Sequence, residues 1–150
     1  MTEARVTDKE ALEAVGEIIR RAGHELRNAL SGVAVNVEVV RSRAERQSPV
    51  TELTPFAERA RQQVGVATAL SDGLLALVSS VLRAAAEGTL RKGSARGAKS
   101  QTELMIYGDR AAAIVSDIER LGSLIDVGVE QRGERVILKV LPEGKSHSKD

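Results

Sequence analysis

VGEIIRRAGHELRNALSGVAVNVEVV, residues 15–40, is the stretch whose reading decides the fold. Within it Val15, Ile19, Ala22, Leu26, Ala29, Val33, Asn36 and Val40 recur at alternating steps of four and three, the a and d positions of a helical heptad. Gly16, Gly23, Leu30 and Val37 fall at the neighbouring e position, so the buried stripe is wider than the seam of a two-stranded coil. A stripe of that width predicts a helix with more than one helical neighbour.

The elements on either side extend the pattern. Thr7 and Glu10 have capping-box spacing, so this first helix is expected to start near Asp8 and to fade around Arg46. Gln47-Ser48-Pro49 reads as a connection. A second helix is expected with Thr54 as N-cap, Pro55 at its first position and its end near Glu87. Its seam is Phe56, Ala60, Gln63, Ala67, Leu70, Leu74, Leu77, Val81 and Ala84, flanked at e by Val64, Ser71, Val78 and Ala85. Two helices share one contact line and cannot bury two such stripes, whereas two hairpins packed together can. The expected fold is therefore mainly α: a long antiparallel helical hairpin over residues 1–87 that forms a homodimer, giving a four-helix bundle.

Residues 88–102 are expected to form a flexible basic linker, since Gly88 to Ser100 holds three glycines and four basic residues without an acid. Beyond it Glu103–Tyr107 reads as a strand and Arg110–Leu124 as a helix. Asp126–Glu130 and Glu134–Leu141 read as two strands joined around Arg132-Gly133. The result is a small C-terminal α+β appendage of β-α-β-β order over residues 103–142. The polar tail, 143–150, is expected to fray.

Composition narrows the function classes. Lys and Arg number 22 against 21 Asp and Glu, which leaves no global field of the kind nucleic-acid binders use. The absence of cysteine removes disulfides, thiolate metal sites and thiol catalysis. Aromatic residues make up 1% of the chain, so the core must be built from Ala, Val, Leu and Ile. No uninterrupted apolar run has the length of a membrane span, and the charged N-terminus does not read as a signal peptide. The expectation is a cytoplasmic protein with neither nucleic acid nor membrane as partner.

The chemistry concentrates in Gly23-His24-Glu25-Leu26-Arg27-Asn28-Ala29-Leu30-Ser31. His24 is one of two histidines in the chain, and the heptad count puts it at f, the position farthest from the seam. Residues three and four away share its face, so Arg20, Arg21, Arg27 and Asn28 are expected around it. A free imidazole is largely neutral at pH 7 and nucleophilic, and guanidinium groups hold phosphoryl oxygens by charge-assisted hydrogen bonds. On spacing alone, however, an exposed histidine among arginines on an amphipathic helix is usually an ordinary solvated surface residue.

His24-Glu25-Leu26-Arg27-Asn28, followed by Leu30 and Ser31, resembles the H-box of two-component sensor histidine kinases. In that family the motif lies on the first helix of the dimerisation and histidine phosphotransfer domain, itself a hairpin that dimerises into a four-helix bundle. The resemblance implies that His24 is phosphorylated, that Glu25 assists as acid or base, and that Asn28 positions a water for dephosphorylation. Ala29 stands where the family usually has proline.

Tyr107-Gly108-Asp109 and the helix after it resemble the opening of the kinases' ATP-binding domain, in a truncated, degenerate form. No asparagine follows Asn36 to hold Mg²⁺, and Leu141-Pro142-Glu143-Gly144 replaces the first glycine box. The resemblance thus implies a phosphotransferase without an ATP site, similar to dimeric histidine phosphotransferases. Such a protein has no cofactor or metal site of its own. His24 would exchange phosphate with a histidine kinase or with the aspartate of a response-regulator receiver domain, the receiver supplying Mg²⁺, while Arg20, Arg21 and Arg27 hold the phosphate or the partner. The alternative is a non-catalytic dimeric adaptor that binds a kinase or response regulator.

Overall fold

The computed structural model describes residues 9–93 and 100–142. Helices α1 (Lys9–Glu45) and α2 (Val50–Glu87) form the hairpin. They are followed by β1 (Arg91–Lys92), β2 (Ser100–Met105), α3 (Ala111–Leu124), β3 (Val127–Arg132) and β4 (Arg135–Val140). The described chain is mainly helical, and its strands form one small antiparallel sheet in the order β1-β2-β4-β3. The expected capping box at Thr7 and the expected tail at 143–150 lie outside the described residues.

The turn between the long helices occupies Arg46 to Pro49. Gln47 takes a left-handed φ of 58°, and the Ser48 N–H reaches back to the Arg43 carbonyl at 3.0 Å, closing the end of α1. Helix α2 begins at Val50 with Pro49 as its N-cap, earlier than the Thr54-Pro55 start expected from sequence. Pro55 thus stands inside the helix as its sixth residue, where it costs α2 the bond to the Thr51 carbonyl. The Thr54 hydroxyl meanwhile donates to the Val50 carbonyl at 2.9 Å instead of capping the helix. At the far end Gly88, with φ 73°, closes α2 where the sequence predicts.

The heptad seam of α1 holds at Val15, Ala22, Ala29 and Asn36, all buried, but shifts at one step. Ile18 is 1% exposed and Ile19 40%, the reverse of the expected order. The cause is the C-terminal unit. It packs on the side of α1 that carries Ala11, Ala14 and Ile18, and so turns the buried stripe toward itself. One continuous core joins the base of the hairpin (Ile18, Ala22, Leu70, Leu77) to α3 (Ile118, Leu121) and to the sheet (Leu104, Val136, Leu138).

Within the stretch expected as a linker, Arg91–Lys92 pairs with Thr102 and Glu103, and Ser100 already opens β2. Gln101 and Thr102 are uncharged and buried, and with Ser100 they extend β2 back from Glu103 along β4. Residues 94–99 lie outside the described residues. Strands β3 and β4 form a tight hairpin in which Arg132 pairs with Arg135, and Gly133 supplies the φ of 63° that a two-residue loop requires.

Helix α2 is also long and apolar enough to cross a membrane by length and composition, with Asp72 the only charge between Gln63 and Ser80. In the structure that stretch packs between α1 and α3. The distal half of the hairpin is held by a polar pair. The buried Asn36 amide donates at 2.9 Å both to the Gly32 carbonyl and to Gln63 Oε1. A Cβ at position 32 would lie 2.1 Å from Gln63 Nε2, so glycine there makes room for the pair.

Gly73 performs the same service for α3, because a Cβ there would meet Leu121 Cβ at 2.5 Å and the Asp117 carbonyl at 3.0 Å. Gly73→Ala should therefore push α3 off the hairpin and cost about 1–3 kcal/mol, the usual penalty of overpacking. Urea unfolding of the variant against the native chain measures this, and an unchanged midpoint would show that α3 is not held where described.

Candidate functional site

His24 is exposed on α1, two turns beyond Glu17 and well inside a helix of 37 residues, so its backbone position is fixed by helical hydrogen bonds on both sides. Arg27 and Asn28 are exposed one turn further on, and Glu25 is half-buried. Arg27 makes no hydrogen bond or ion pair with the described residues and is a cation available to a ligand.

Arg20 is exposed too, but engaged. Its Nε and Nη2 donate to the two carboxylate oxygens of Glu17 at 3.0 and 2.8 Å. Arg21 departs from the sequence expectation altogether. It is 4% exposed and turns away from the face of His24 toward the C-terminal unit. Its Nε donates to Glu17 Oε1 at 3.1 Å, and its Nη1 to the carbonyls of Ile125 and Asp126 at 3.4 and 3.1 Å. The reason is positional. One helical step round from His24, α1 is already covered by the α3–β3 corner, and the carbonyls at the end of α3 attract a cation.

Glu17 was not among the residues singled out by sequence, although its spacing of three and four to Arg20 and Arg21 is a readable signal. Hydrogen bonds from Arg20 hold its carboxyl down to about 2 against the opposing effect of partial burial, and Arg21 adds to the lowering. The ensemble at the base of the site is thus Glu17 bridging an exposed and a buried guanidinium.

The surroundings of His24 form an open helical surface. Neither the small apolar cavity between Ile18, Leu77, Ile118 and Leu121 nor the polar one between Arg91, Glu103 and Arg135 includes it. Among the described residues no cluster of three or more His, Asp or Glu is placed to hold a metal ion. A convex, exposed site of this kind suits chemistry brought by a macromolecule rather than a small substrate held in a cleft.

One flank of the hairpin is covered and the other is not. The C-terminal unit covers the side that carries Ile18 and Arg21 on α1 and Gly73 on α2. On the e positions Leu30, Val37, Val64 and Val78 are 52, 53, 49 and 39% exposed. In an antiparallel pair the e positions of both helices lie along the same flank, so these side chains form a single apolar face. Leu75 and Leu82, 69 and 65% exposed, extend it on α2.

No family model, curated protein or solved structure matches the chain.

The Glu17 bridge has a pH signature. Its folded pKa of about 2 lies below the ordinary 4.5, so its stabilisation is fully present above the ordinary value and is lost as pH falls from there toward 2. The stability difference between the native chain and Glu17→Gln, measured by urea unfolding at a series of pH values, should shrink across that window. A difference that stays constant from pH 7 to pH 2 would contradict the ion-pair account.

Proposed function

We propose that the chain is a dimeric histidine phosphotransfer protein that carries a phosphoryl group on His24. The observation that supports this most is the setting of His24, exposed on a long rigid helix with the unengaged Arg27 and the amide of Asn28 one turn away. The likeness of His24-Glu25-Leu26-Arg27-Asn28 to the H-box of sensor histidine kinases points the same way. The open apolar flank is the natural seat of a second hairpin, which would complete a four-helix bundle and leave His24 on its outside.

In the reaction, an imidazole nitrogen of His24 attacks the phosphorus of a receiver's aspartyl phosphate. The P–N bond forms as the P–O bond to aspartate breaks. The carboxylate departs with the bonding electrons, and the proton of the resulting imidazolium is released to water. A Mg²⁺ held by the receiver would neutralise the departing carboxylate. Arg27 contributes charge-assisted hydrogen bonds to the phosphoryl oxygens, Glu25 assists in relaying the released proton to water, and Asn28 positions a water for the separate step of dephosphorylation. The reverse step loads the next receiver.

The same apolar flank supports a second reading, in which it pairs with the hairpin of a kinase and the chain acts as an adaptor. Incubation with a phosphorylated receiver domain or an active histidine kinase separates the two. The phosphotransfer reading predicts acid-labile phosphate on the native protein and none on His24→Ala. Binding of the partner with no labelled protein, or with label that persists in His24→Ala, overturns it in favour of the adaptor.

A further inference from the structure

Among the described residues Arg21 is the one buried charged side chain, and it lies a single turn before His24. It holds together a corner where four elements meet. Ile125 ends α3, its N–H donating to the Gly122 carbonyl at 3.3 Å. Asp126, with a left-handed φ of 57°, then swings the chain into β3. This bend brings two successive carbonyls, of Ile125 and Asp126, onto Arg21 Nη1. The Asp126 carbonyl also accepts the Leu141 N–H at 3.2 Å, which ties in the end of β4.

Building on the assignment of phosphate to His24, we infer that a phosphoryl group there competes with the α3–β3 corner for Arg21, so that phosphorylation of His24 loosens the C-terminal unit from α1. The competition is unequal. A phosphoryl group brings a charge of about −1.5 to −2 with three strong acceptor oxygens, whereas the two corner carbonyls are neutral and the one carboxylate on Arg21, that of Glu17, is shared with Arg20. Residues three apart on a helix are neighbours, so Arg21 is within reach of a group on His24. Arg20 is held bidentately by Glu17, and Arg27 supplies one guanidinium where a dianion binds two or more. Withdrawal of Arg21 leaves the carbonyls that end α3 without their cation, and the Ile125 and Leu141 amides lose the fixed corner on which their own hydrogen bonds depend. The C-terminal unit thereby reads the state of His24 without touching the phosphate. Arg21 is a positioning residue.

Hydrogen exchange measured by mass spectrometry on the full chain, before and after treatment with phosphoramidate, tests this. The donor's P–N bond breaks to release ammonia as the bond to His24 forms. Amides around Ile125 and Leu141 should exchange about tenfold faster in the phosphorylated protein, the size of one lost charge-assisted hydrogen bond. In Arg21→Gln they should exchange fast with or without phosphate, and Arg21→Lys, which keeps the charge, should restore part of the protection. In His24→Ala, phosphoramidate should change nothing. Phosphohistidine accompanied by unchanged exchange at the corner overturns the competition and leaves the phosphotransfer reading standing. No phosphohistidine at all overturns both.

Discussion

The constraint on which the rest of this structure depends is the narrowness of the contact between α1 and α2. Two helices lined by Ala, Val and Leu touch along one seam, and their small side chains bring the axes close without wrapping either helix. Each helix therefore keeps apolar surface on both flanks of the seam. The chain covers one flank itself, at the base, by folding α3 and the sheet against Ile18, Leu77 and their neighbours. The other flank, with Leu30, Val37, Val64 and Val78, stays open. His24 belongs to neither flank and faces solvent.

Most of the architecture was legible because it rests on periodicity. Steps of four and three from Val15 to Val40 predict α1, the end of α2 at Gly88 follows from glycine's access to positive φ, and alternation with a glycine turn predicts β3 and β4. What escaped depends on contacts between residues far apart in the chain. The exchange of Ile18 for Ile19 and the burial of Arg21 both arise because the C-terminal unit seats itself on α1 more than a hundred residues away in sequence, and a helical wheel of α1 alone contains nothing of that. β1 was hidden for the related reason that a two-residue strand has no period of its own and exists only through its pairing with β2. The early start of α2 escaped because a proline after a threonine reads as a first helical residue, whereas Pro55 stands inside the helix at the loss of one backbone bond.

The candidate site divides along the same line. Exposure of His24, Arg27 and Asn28 follows from heptad position. The division of labour among the arginines does not, because Glu17 decides it: one carboxylate holds Arg20 on the surface and steadies Arg21 in the interior, leaving Arg27 as the unengaged cation next to the histidine. A cluster that reads in sequence as three equivalent phosphate ligands is in the folded chain one available ligand, one paired one and one structural link to α3.

The proposal that a second copy occupies the open flank and leaves His24 outside the bundle carries the functional account, and spin-label distance measurement reaches it most directly. The chain has no native cysteine, so labels can be placed singly at Leu30→Cys on the open flank or at Ser116→Cys on α3. The account predicts a short distance between the two Leu30→Cys labels of a dimer, within about 20 Å or two helix diameters, and a longer one between the Ser116→Cys labels. A dimer with the shorter distance at Ser116→Cys, or no dipolar coupling at either position, would contradict it.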